Sequence, residues 1–268
     1  MMRRAAVSVV PGPEASREIL EAPCVAPPSD APYPYRDYVA ARDALLAAIR
    51  RGPFYGIVTG ASGTGKSSLP REIAPVLDRH RHQVVYLSSS GASVLGTVNH
   101  LARLLRVSPR RSSLETALVV AETLKSHAAH FILWIDEAER VAPQTLGELR
   151  LLAETDLVAP QLMSVVLSGL PDLRAVLDTP GLFPLKRRIS VRCVLEGLRR
   201  DELDPFLAHR HGAATARLVP TEVRDDLFER ARGTPALIHK VVSEALDRAG
   251  ADRLGEAHIL EALDANGL

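Results

Sequence analysis

The sequence predicts an α/β fold: a parallel sheet covered by helices on both faces, followed by a small all-helical region. Two observations carry this. Short apolar runs without polar alternation, such as Phe131-Ile132-Leu133-Trp134-Ile135, recur between stretches of helical period, and continuous apolar strands belong to sheets buried on both faces. One such run, Ile57-Val58-Thr59, opens directly into a glycine-rich turn, and another ends in adjacent carboxylates, Asp136-Glu137. Ligands of open α/β sheets bind outside the C-terminal ends of strands, so both runs point to one site.

The chain has 268 residues, enough for one large domain or a core with a small appendage. Apolar residues make up 46% and charged residues 24%, near the soluble globular average. The formal net charge is +1, which excludes a global polycation and confines any nucleic-acid surface to a local patch. Only four basic residues are lysine (Lys66, Lys125, Lys186, Lys240), so Lys66 inside the glycine-rich turn is informative. Two cysteines, Cys24 and Cys193, lack metal-ligand spacing and fit a reduced, cytoplasmic protein. The apolar run 5–10 is too short for a signal-peptide core, and no stretch nears the ~20 apolar residues of a membrane span, so no membrane is expected.

Residues 1–32 are rich in Pro and Ala without period and read as a disordered tail. A core over 33–195 follows. Its first helix is expected over 39–49, its first strand over 56–59, then a helix from about Gly65 that Pro70 and Pro75 shorten or kink. A second strand is expected at 84–87, amphipathic helices at 95–105 and 114–126, a strand at 131–135, a helix at 146–157, and strands at 163–167 and 189–194. Over 196–268 the strands stop, and four helices are expected at 201–209, 222–232, 236–249 and 256–263 as a lid.

The run Gly60-Ala61-Ser62-Gly63-Thr64-Gly65-Lys66-Ser67 matches the P-loop pattern, a glycine, four residues, then Gly-Lys-Ser/Thr. Glycines let successive backbone N–H groups turn inward on phosphate oxygens, and the following helix aims its positive end at the same anion. Gly60, Ser62, Gly63, Thr64, Gly65, Lys66, Ser67 and Ser68 therefore form the expected phosphate-binding set of an ATP site. Lys66 would reach the β- and γ-phosphates, and Ser67 with Asp136 would hold Mg²⁺. Glu137 is placed to polarise an attacking water as general base. Ser168, ending the run Ser164-Val165-Val166-Leu167-Ser168-Gly169, either orients that water or merely ends a strand. The cations of Leu185-Lys186-Arg187-Arg188-Ile189 either reach a neighbouring subunit's phosphates, Arg188 before Arg187, or close a helix with a favourable dipole contact. An arginine finger of that kind accelerates phosphoryl transfer by ~10³–10⁵.

The P-loop, Ile135-Asp136-Glu137-Ala138, Leu167-Ser168-Gly169-Leu170-Pro171-Asp172-Leu173 and Arg188-Ile189 together resemble AAA+ ATPases of the ExeA/TniB group. That group holds general-secretion ATPases and transposition ATPases of the MuB, TnsC and IstB types, and the resemblance spans about residues 33–265. It implies a P-loop NTPase core of the AAA+/ASCE kind with sheet order 5-1-4-3-2, a C-terminal helical lid, and ATP-dependent assembly of a homo-oligomeric ring or filament. It also implies that Ser168 lies at or beside sensor 1 and that Arg188 is the arginine finger. Tyr35, Arg36 and Tyr38 lie where such ATPases clamp adenine; a tyrosine there either stacks on the base or packs lid against core. One departure stands out. The group's lid helix often begins Gly-x-Pro-Arg, whereas here Gly233-Thr234-Pro235-Ala236 carries no charge for a phosphate. His239 and Lys240 are the nearest alternatives one turn on, and slow turnover is expected.

Two functions follow from the resemblance. In a transposition accessory ATPase the protein binds double-stranded DNA without sequence preference and recruits or stimulates a transposase. Relatives of that type line their DNA channel with the segment after the second strand, which here holds Ser89 and Ser90, with Arg103, Arg106, Arg110 and Arg111 nearby. Those arginines read equally as a solvated helix face. In an ExeA-like secretion or signalling ATPase, nucleotide drives assembly of a protein partner instead.

Overall fold

A computed structural model describes residues 31–88, 93–108, 110–153, 161–249 and 254–268. Residues 1–30, which hold nearly all of the expected tail, lie outside the described residues. Residues 32–268 form one compact unit.

In chain order the elements are α1 (Arg36–Arg51), β1 (Tyr55–Gly60), α2 (Leu69–Val76), β2 (His82–Ser88), α3 (Val94–Leu104), α4 (Ser113–Ser126), β3 (His130–Asp136), α5 (Pro143–Ala153), β4 (Met163–Gly169), α6 (Leu173–Leu177), α7 (Phe183–Arg188) and β5 (Ile189–Leu195). Helices α8 (Leu203–His211), α9 (Ala213–Leu218), α10 (Arg224–Arg230), α11 (Pro235–Ala249) and α12 (Glu256–Ala265) complete the chain. The five strands pair in parallel in the order β2-β3-β4-β1-β5, the expected order read from its other edge.

Alternation along each strand divides the interior. Val58, Trp134, Val166 and Cys193 face one apolar cluster with Tyr38 and Leu45 of α1 and Ile73 of α2. Leu203, Phe206, Ile238, Val241 and Ile259 of the C-terminal helices enter that same cluster. Ile57, Val85, Leu133, Ile135, Val165 and Leu167 face a second cluster closed by Leu101, Val120, Leu146, Leu173 and Leu185. The C-terminal helices thus share a core with α1, and burial of one Leu or Ile in it is worth ~1.5–3 kcal/mol.

The boundaries moved where local chemistry competes with period. After the P-loop the chain first makes a 3₁₀ turn, Lys66–Ser68, so the α-helix begins at Leu69 rather than Gly65. Ser93 and Ser112 cap α3 and α4, each accepting a hydrogen bond from a backbone N–H three residues on. Helices α6 and α9, of five and six residues, were not expected, because two turns or fewer leave no readable period. Helix α7 ends in Lys186, Arg187 and Arg188, the basic helix end that was one reading of those cations. The C-terminal region has five α-helices among the described residues, not four. The expected helix over 146–157 starts earlier, at Pro143, and residues 154–157 lie outside the described residues.

Candidate nucleotide site

Both sequence signals converge at the C-terminal end of the sheet. Gly60 ends β1, Asp136 ends β3 and Gly169 ends β4 between them, where Thr59 faces Gly169 in register. A cleft of about 480 Å³ opens there, lined by Ser62, Gly63, Gly65, Lys66, Ser67, Ser68, Asp136, Glu137, Glu139, Arg140, Gly169, Leu170 and Ala236.

The loop is tightly wound. Gly65 has φ 98°, a left-handed conformation that a side chain strains, and the Tyr38 ring lies 3.2 Å from where its Cβ would stand. Thr64 Oγ1 donates to Ala61 O at 2.9 Å. The Lys66 ammonium folds along the loop and donates to Gly60 O at 2.9 Å and Ala61 O at 2.8 Å. Burial lowers the pKa of Lys66, while Asp136, Glu139 and Glu137 pull it back up. From below, the Tyr35 hydroxyl donates to Thr64 O at 2.7 Å. The Tyr35 ring is only 2% exposed, so it braces the loop and offers no open face to a base. Arg36 is exposed, with its backbone N–H bonded to Glu202 of the C-terminal region.

Asp136 is the most heavily bonded group in the cleft. Its Oδ1 accepts from Ser168 Oγ at 2.8 Å and from the Glu137 N–H at 3.0 Å. Its Oδ2 accepts from Ser67 Oγ and, at 2.7 Å, from the Tyr86 hydroxyl. Burial raises its pKa, but these donors outweigh burial, and the carboxyl sits below its ordinary value, ionised at neutral pH. A hydroxyl and an ionised carboxylate in direct contact are hard oxygen donors of the kind magnesium takes, so the residues fit that ion.

Ser168 is fully buried, receives the Trp134 indole N–H at 2.8 Å and donates to Asp136 Oδ1 at 2.8 Å, a contact neither reading of the strand-ending serine anticipated. Glu137 sits in the left-handed region at φ 51° with its side chain half-exposed, and accepts from Arg140 Nη1 at 3.2 Å. Glu139 reaches back over Gly169 and accepts the Leu170 N–H at 3.1 Å. Sequence reasoning missed Tyr86, Glu139 and Arg140. The run Glu137-Ala138-Glu139-Arg140 offered a signal for the last two, since a 3₁₀ turn directly after the strand keeps both at its edge.

The C-terminal region meets the loop at the start of α11. The Ala236 N–H donates to Gly63 O at 3.3 Å, and a Cβ on Gly63 would stand 2.7 Å from Ala236 Cβ. His239 does not turn toward the phosphate loop: its Nδ1 lies 3.2 Å from His211 Nε2. Lys240 pairs with Glu244 at 3.8 Å.

The remaining candidates lie outside the cleft. Arg188 precedes β5, whose first residue faces Tyr55 at the start of β1, so it sits at the end of the sheet opposite its own loop. Arg103, Arg106, Arg110 and Arg111 are all exposed on the end of α3 and its connection to α4. Ser89 and Ser90 lie outside the described residues.

Residues 50–177 match the AAA domain family. The fold is that of a P-loop AAA+ NTPase core with a helical C-terminal region. Over 209 residues the chain is 26% identical to the General secretion pathway protein A of Aeromonas hydrophila, a match covering 75% of this chain. It spans 38% of that relative's length. The AAA+ core and C-terminal helices also superpose on the Aeropyrum pernix ORC2 protein, solved as ADPNP-ADP complexes, with a TM-score of 0.66 at 14% identity over 92% of this chain and 71% of that one. The Aeropyrum pernix ORC1 protein in complex with DNA superposes with a TM-score of 0.58 at 15% identity, over 89% of this chain and 66% of that one.

Proposed function

We propose that the protein is a slow, magnesium-dependent ATPase that uses nucleotide to assemble on double-stranded DNA and to recruit or stimulate a transposase. One observation supports the enzymatic part above the rest: Lys66, Ser67, Asp136 and Glu137 converge on one cleft at the C-terminal end of the sheet. The loop amides and Lys66 hold the phosphates. Ser67 and Asp136 hold the metal, whose chemistry is to neutralise charge on the phosphate oxygens. Glu137, at the cleft mouth, takes the proton of the attacking water. Ser168 keeps the Asp136 carboxylate in orientation. Arg188, at the far end of the sheet, serves a neighbouring subunit in a ring or filament.

Glu137→Gln tests the chemistry. Turnover is expected to fall ~10²–10⁴-fold with ATP affinity retained; equal hydrolysis by both proteins removes Glu137 as the base.

The DNA part is supported by the four exposed arginines on the end of α3 and its connection to α4, which would bind phosphates and so position without reading sequence. A gel shift on random duplex DNA with a non-hydrolysable ATP analogue should weaken in the Arg110→Ala/Arg111→Ala double variant. Its log–log salt slope should become shallower by ~0.9 for each DNA phosphate that the variant leaves unneutralised. An unchanged shift removes the assignment.

The similarity to the General secretion pathway protein A favours a second reading, in which ATP drives assembly of a protein partner. Absence of any ATP-dependent DNA shift, with a partner protein retained only in ATP, selects it.

A further inference from the structure

Tyr86 is a cleft-side aromatic for which neither nucleotide motif provides. Its neighbours on β2, Val85 and Leu87, are buried in the core, while Tyr86 itself is 41% exposed. Its hydroxyl does not turn out to solvent alone but donates to Asp136 Oδ2 at 2.7 Å in a part-buried bond. The register explains how it reaches. Tyr86 faces Trp134 and Ser88 faces Asp136, so the phenol extends along the sheet by two register positions, on the same face, to meet the carboxylate.

Asp136 is thereby gripped from both sides. From β4, Ser168 Oγ holds Oδ1 at 2.8 Å, and Ser168 is itself fixed by the Trp134 indole at 2.8 Å. From β2, Tyr86 holds Oδ2, the oxygen that also meets Ser67. Magnesium demands near-octahedral geometry and tolerates little error in the direction of a carboxylate oxygen. Partners that hydrogen-bond a ligating group set that direction, and their removal typically costs 10–100-fold in metal affinity.

We propose that Tyr86 is a positioning residue for the magnesium carboxylate, fixing Asp136 Oδ2 toward Ser67, and that Trp134, bonded through Ser168 to the same carboxylate, reports the metal's arrival. The inference rests on the nucleotide reading above. Trp134 is the only tryptophan of the chain, so an intrinsic fluorescence change has one source.

The test titrates Mg²⁺ into the full chain saturated with ADP, following tryptophan fluorescence and heat in parallel. Wild type is expected to show a saturable fluorescence change with the same midpoint as the heat. Tyr86→Phe, which keeps the ring, is expected to need about tenfold more Mg²⁺, with ADP affinity in EDTA unchanged. Tyr86→Leu should repeat the shift. A Tyr86→Phe midpoint equal to or below that of wild type overturns the positioning role. Loss of metal-free ADP binding in proportion overturns it too, since a general structural defect would then suffice. Heat without a fluorescence change overturns the reporter role of Trp134. If wild type binds no ADP at all, the nucleotide reading fails, and that outcome is distinct from the others.

Discussion

The two walls of the cleft are built differently. The core wall is polar and heavily bonded: Lys66 lies along two loop carbonyls, and four donors converge on Asp136. The wall from the C-terminal region brings Ala236 to the lining, and its link to the loop is a main-chain N–H on Gly63 O. If the proposed function holds, the first wall grips phosphate through charge, and changing a side chain there should change affinity. The second touches the loop through backbone and shape, so the two contributions should be separable by mutation.

The largest effect is expected on the core wall. Lys66→Ala removes charge-assisted bonds to phosphate and should weaken ATP and ADP by ~100-fold, about 3 kcal/mol, measured by calorimetry. A change within error would break the assignment of charge to this wall. Gly63→Ala, with φ 82° and Ala236 Cβ in its path, should cost about 1–2 kcal/mol in local strain. It should also push α11 off the loop, seen as faster amide exchange at the start of that helix. Unchanged exchange would show that the two walls are not in working contact. Ala236→Arg gives the second wall the charge it lacks and should raise the preference for ATP over ADP by about tenfold, near the value of one added charged hydrogen bond. An unaltered ratio places residue 236 out of phosphate reach.

A separate effect, on the stability of the whole chain rather than on the cleft, concerns pH. Burial first, then His82, pushes the His130 pKa down to about 4. Burial, His239 and Arg210 do the same for His211, also to about 4. An unfolded histidine titrates near 6.5, so between 6.5 and 4 the unfolded chain binds more protons. The stability these groups contribute is present above about 6.5 and is lost as pH falls toward 4. The thermal midpoint should drop across that window, and less so in His130→Gln. The Asp136 contribution goes only at lower pH, since its pKa is depressed.

The core wall was legible in the sequence for a physical reason, whereas the sheet order came from the family resemblance. A turn that wraps an anion admits few residue types, so Gly60 through Ser67 and the acids after Trp134 declared themselves. The roles of Tyr86 and Ser168 were not legible, because each depends on register and rotamer. A serine ending a strand reads the same whether it faces water or Asp136, and only the pairing of Ile135 with Leu167 brings Ser168 beside that carboxylate. Tyr35 was read two ways, stacked on a base or packed between lid and core, and it took the fold to show the ring 2% exposed. Helices α6 and α9 escaped because so short a stretch has no period.

Ala236 meets Gly63 at the first turn of a 15-residue helix. Such a rod is about 22 Å long, so a pivot of ~10° at that turn carries its far tip ~4 Å. Because that contact is a peptide group, substitutions on the exposed face of the helix can redesign its surface without removing the bond to Gly63 O, while Ile238, Val241 and Val242 keep the rod seated in the core.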